Sequence, residues 1–120
     1  MKDMIMKPKI WLIIIAIMHT FMGVIGSYIT MGGSIDTLAI FLYMGTISVY
    51  LLYVAFMTEG QTQARLAAVL CVPIVVWFII GAIMNLDMLG VPVAEMPSGL
   101  LPITLWTLPA LTGIMNWNSE

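Results

Sequence analysis

The chain has one histidine, His19, in the middle of a long apolar run. Imidazole can both donate and accept a proton, and an ionisable group at membrane depth leans toward a role in binding or proton relay. Its companions follow from helical phase. At 100° per residue, Asp36, Ala39, Tyr43, Thr46, Tyr50, Tyr53 and Met57 fall on one stripe of the second apolar run. Each tyrosine carries a hydroxyl that needs a partner away from water. At 1.5 Å per residue, His19 lies roughly 13 Å from one membrane face, Tyr50 roughly 10 Å and Thr46 roughly 16 Å. Pro73 and Trp77 bracket the same level on the third run. His19, Thr46, Tyr50, Tyr43 and Trp77 are therefore predicted to line a polar ligand-binding pocket at mid-membrane. A neutral imidazole needs one donor and one acceptor, which a tyrosine and a threonine hydroxyl can supply. The competing reading is an internal hydrogen-bond network that only holds the helices together.

Other chemistry is sparse. Met18 and Met22 have the spacing of a soft copper site, but the chain holds 12 methionines. A helical wheel also turns Met18 toward lipid, so methionine as an apolar filler is the expected use. A lone histidine cannot hold haem or a metal without a second ligand, and none is evident. The sequence therefore predicts neither a cofactor nor a metal. Cys71 is a single cysteine inside an apolar run, which excludes an intrachain disulfide. There are no paired carboxylates, no histidine cluster and no nucleophile with an evident base, so an enzyme is the least supported class.

Composition sets the frame for these residues. Of 120 residues, 62% are hydrophobic and 8% charged, against about 45–50% and about 25% in soluble domains. Mean hydropathy is +1.08. Four basic and six acidic side chains cannot cover a water-soluble globule of this size. A soluble enzyme, a nucleic-acid binder and a disordered chain are excluded; the expectation is an integral membrane protein.

Crossing about 30 Å of hydrocarbon takes about 20 apolar residues. Four stretches qualify, at about 10–29, 37–57, 66–84 and 101–117. Their continuous apolar character predicts helices rather than barrel strands. The first is too long for a signal peptide and no A-x-A-like cleavage site follows it. The expected fold is an all-α, up-down antiparallel bundle of four transmembrane helices forming a single domain. Lys2, Lys7, Lys9 and Arg65 lie on the N-terminal tail or the second loop, whereas Asp36, Asp87 and Glu95 lie in the other two loops. That asymmetry places both termini in the cytoplasm. Ala16, His19, Thr20, Gly23, Gly26 and Ser27 share one face of the first helix, and small residues let membrane helices approach closely. The segment 85–100, with Pro92, Pro97 and two carboxylates, reads as a loosely packed outer connection.

The functional expectation is a non-enzymatic accessory subunit or binding module of a bacterial or archaeal plasma membrane. Its partners would be the lipid bilayer and a second copy or a larger membrane complex, with no nucleic acid. The alternative is an oligomeric transporter or channel for a small neutral or cationic solute. Against it, no span carries an Asp or Glu at depth.

Overall fold

The computed structural model describes residues 2–88, 90–94 and 98–118. A short helix α1 (Lys2–Ile5) precedes α2 (Pro8–Thr30), α3 (Ile35–Met57), α4 (Gly60–Met84) and α5 (Leu100–Met115). Three of these helices are long and apolar enough to cross a membrane, and α5 is a shorter apolar helix. The chain is thus mostly helical and compatible with an all-α membrane protein. The long axis of 45 Å is close to a bilayer's full thickness of about 40–45 Å.

Local chemistry sets the helix ends. Pro8 stands in the first turn of α2, where its missing N–H costs nothing. Gly32 (φ +101°) and Gly33 (φ +61°) take the left-handed conformations that reverse the chain. Ser34 then caps α3, its hydroxyl accepting from the Asp36 N–H at 3.1 Å. Asn85, also left-handed, ends α4.

Helix α4 begins at Gly60, six residues before the predicted Leu66. The polar residues of that extra turn find partners within the fold. Buried Gln63 points its amide at the carbonyls of Val54 (3.2 Å), Ala55 (3.0 Å) and Thr58 (3.0 Å). These are carbonyls around the C-terminus of α3, where no further turn supplies amides to pair them. Arg65 Nε donates to the Trp117 carbonyl at 3.0 Å, with its guanidinium carbon 5.3 Å from the Trp117 ring centroid. Asn116 Nδ2 donates to the Met6 carbonyl at 2.7 Å. The chain's two ends and the α3–α4 turn therefore gather at one end of the bundle.

Helix α2 lies between α3 and α5, and α4 packs chiefly on α5. The core joins Leu12, Ile15 and Ala16 of α2 with Leu51, Val54 and Ala55 of α3. Ala67 and Cys71 of α4 and Trp106 and Ala110 of α5 complete it. The backbones of α4 and α5 approach closely at Gly113. A Cβ on Gly113 would lie 2.6 Å from the Ala64 carbonyl oxygen and 2.8 Å from the Ala68 nitrogen. Small residues make such an approach possible without a hydrophobic drive between helices.

Two features depart from a plain helical bundle. Residues His19–Gly26 form a π-helical stretch inside α2, in which the Ser27 N–H reaches the Met22 carbonyl. The segment after α4 holds a small antiparallel hairpin, β1 (Asp87–Met88) and β2 (Val91–Pro92). That segment was expected to be loosely packed, yet it is pinned. Val93 N–H donates to Leu86 O at 3.1 Å, and the Val93 side chain occupies the space a Cβ on Gly81 would need. Glu95 and Pro97, read above as part of this connection, lie outside the described residues.

Candidate functional site

Along α2 the polar and small face turns inward around His19, although Met18, read as lipid-facing, is half-buried. Ala16 and His19 are buried, whereas Ile17, Phe21 and Ile25 on the opposite face are exposed. His19, only 7% exposed, faces the bundle interior. Its Nε2 lies 2.8 Å from the Met44 carbonyl oxygen. A carbonyl only accepts, so Nε2 carries the proton and donates it. The ring also meets Trp106 of α5 edge-on, with centroids 5.3 Å apart. Helices α2, α3 and α5 together thus fix the imidazole.

The other ring nitrogen has no hydrogen-bond partner among the described residues. Nδ1 lies beside Gly23, one helical turn on, where an added Cβ would stand 3.3 Å from it. The missing side chain keeps that edge of the ring uncovered. His19 and Gly23 both border a cavity of about 360 Å³. Its walls are largely apolar, including Ile15, Phe41, Phe78 and Leu105, and β2 together with Val93 covers it toward the hairpin end. Ser27, also in the wall, donates its hydroxyl to the Met22 carbonyl at 3.0 Å. In its neutral form the imidazole presents one lone pair to a largely apolar space.

The other residues predicted to line this pocket do not join His19. Tyr43 is 69% exposed, Tyr50 57% and Tyr53 56%, all on the outer side of α3. Thr46 is exposed and donates to its own helix, at the Tyr43 carbonyl, 2.6 Å away. Trp77 packs edge-on against Phe78 and is half-exposed. The buried side of α3 instead carries Ile40, Phe41, Ser48, Leu51, Val54 and Ala55. Both sides of α3 are apolar enough for lipid, so hydrophobicity does not choose the inward one. On the inward side Ser48 meets Thr20 of α2, while Leu51, Val54 and Ala55 enter the core. Tyrosine does not force the issue, because its amphipathic ring tolerates an outward position.

Three contributors were missed from sequence. Met44 takes part through its backbone carbonyl, which no side-chain pattern reveals. Trp106 sits on the shortest apolar helix, at the same depth as His19. Ser48, on the buried side of α3, has its hydroxyl 2.7 Å from that of Thr20, which is also 2.7 Å from the Ala16 carbonyl. Thr20 has one proton, so it donates to the carbonyl and Ser48 donates to Thr20.

No protein family, no curated protein and no solved structure matches the chain.

Proposed function

We propose that the chain is a membrane-embedded binding module that crosses the bilayer four times, with both termini in the cytoplasm. Its cavity receives one small occupant at His19. Supporting the topology are the clustering of Lys7, Lys9 and Arg65 near the end where the termini meet, and the positive-inside rule. The observation that carries the binding reading is the His19 ring itself. One nitrogen is fixed to a backbone carbonyl and the other opens on a cavity large enough for a small molecule. The wall is otherwise mostly apolar, with the Ser27 and Ser98 hydroxyls its other polar side-chain groups, and an occupant that accepts the Nδ1 electron pair gains a specific interaction there. Association with a second copy or a larger membrane complex is part of the proposal. It is supported by the outward stripe of Tyr43, Tyr50 and Tyr53, whose hydroxyls find no partner within the described residues.

With a single histidine, [15N]-histidine NMR reads the site directly. The expected spectrum has a protonated Nε2 and an unprotonated Nδ1. Titration with 4-bromophenol, a small ring with one hydroxyl donor, should move the Nδ1 resonance and leave Nε2 nearly still. His19→Ala should abolish saturable binding of the probe while the helical circular dichroism persists. A protonated Nδ1, or a probe that binds His19→Ala as well as the parent, refutes the binding reading. The topology is checked separately by thiol labelling in a Cys71→Ala background. Met31→Cys and Asp87→Cys should react from outside and Thr62→Cys from inside; the reverse pattern refutes it.

A further inference from the structure

We propose that the occupant of the His19 cavity is a single soft monovalent metal cation of the Cu(I) type. Its ligands are His19 Nδ1 and the thioethers of Met18, Met22 and Met44. The inference rests on the binding reading above and names its ligand class. All three methionines border the cavity together with His19. The helical wheel set Met18 aside as lipid-facing, but its side chain is half-buried and part of the cavity wall. Met22, about half of whose surface faces outward, and Gly23, both in the π stretch that starts at His19, border the same space.

The imidazole is held as metal-binding histidines are. Such a ring donates its other N–H to a carbonyl or carboxylate, which fixes the tautomer and aims the remaining lone pair. Here Nε2 donates to Met44 O at 2.8 Å, and Gly23 leaves Nδ1 uncovered. Met44 would then serve twice, with its carbonyl orienting the ring and its sulfur supplying a ligand.

The donor set selects the ion. The described residues of the wall include no Asp, Glu or Cys. Calcium and magnesium require several oxygen ligands, and structural zinc sites are built on thiolates or several imidazoles. Thioethers favour Cu(I). Charge points the same way. The Born cost of leaving water rises with the square of the charge, so a divalent ion pays about four times the penalty of a monovalent one in this apolar space. Cys71 belongs to the core cluster with Leu12 and Ala67 and not to the cavity wall, so its thiol is not a ligand.

The test uses the full chain in lipid nanodiscs under ascorbate, titrated against the Cu(I)–bicinchoninate chromophore. The parent should withdraw one Cu(I) per chain. His19→Ala should lose that capacity, and Met22→Leu and Met44→Leu should each bind roughly tenfold more weakly, or worse. Leucine conserves methionine's volume, so these two variants should remain folded by circular dichroism and size-exclusion profile. Cys71→Ala should behave as the parent. With Ag(I) as a redox-inert probe, the [15N]-histidine spectrum should show Nδ1, not Nε2, moving. Failure of the parent to withdraw Cu(I) overturns the metal assignment. So does binding that survives His19→Ala, that is unchanged in both methionine variants, or that is lost in Cys71→Ala. If Cu(I) is not withdrawn but 4-bromophenol still moves Nδ1, only the metal assignment falls. A protonated Nδ1 removes both readings.

Discussion

Replacing Gly113 by alanine tests the packing of α4 against α5 most directly. The new Cβ would stand 2.6 Å from Ala64 O, 2.8 Å from Ala68 N and 3.3 Å from Ala67 Cβ. Two of these are backbone atoms of α4, which cannot rotate away as a side chain could. The helices must separate by about 0.5 Å to restore contact, and a gap of that size forfeits about a quarter of each dispersion well along the seam. Overpacking of this kind costs about 1–3 kcal/mol, and the stiff neighbour places Gly113→Ala toward the upper end. The control is Gly45→Ala, inside α3, where the added Cβ meets only Val24 Cγ1 at 4.0 Å. Removing a helix-interior glycine there should be neutral or stabilise by up to about 1 kcal/mol. Equilibrium unfolding by steric trapping in bicelles reads both changes. If Gly113→Ala is as stable as Gly45→Ala, the close approach of α4 and α5 is wrong.

Two further changes probe the ends of the bundle. Gln63→Ala leaves the carbonyls of Ala55 and Thr58 without their amide partner, while Val54 O keeps the Thr58 hydroxyl. It should cost about 1–3 kcal/mol in the same unfolding assay, and a value near zero would mean that water replaces the amide freely. Gly81→Ala should expel the Val93 side chain and loosen the hairpin. Hydrogen exchange at the Val93 amide, bonded to Leu86 O in the parent, should then accelerate roughly tenfold or more, corresponding to about 1.4 kcal/mol of local stability. Unchanged exchange would show that Val93 does not anchor the segment.

How much of this was legible from sequence depends on the helix. In α2 the polar and small residues share one face, so the inward placement of His19 and Ala16 followed from phase alone. In α3 the same reasoning chose the wrong face, because it followed the tyrosine hydroxyls, which face outward, whereas Leu51, Val54 and Ala55 enter the core. Ser48 and Ala55, small and one heptad apart, mark the buried side better than Tyr43 and Tyr50. The extra turn of α4 could not be anticipated from hydropathy, since Gln63 and Arg65 are polar and gain their partners only from α3 and the chain's end. The cavity was beyond sequence for another reason. Gly23 was legible on the small-residue face, but the backbone carbonyl of Met44 and the π turn carry no compositional signature.

The lengths of the helices bear on the surrounding lipid. At 1.5 Å per residue, α5 with its 16 residues extends about 24 Å, whereas α2, α3 and α4 extend about 35–38 Å. On the proposed topology, the α5 side is shorter than a typical hydrocarbon layer of about 30 Å and the opposite side is longer. The bilayer must thin around Leu100–Pro102 and thicken, or the long helices tilt, elsewhere. This mismatch would set up a thin region on the α5 side and a thicker one on the opposite side. It would also bring headgroups down toward the hairpin above the His19 cavity, so that bilayer thickness itself would govern how readily a solute reaches the site.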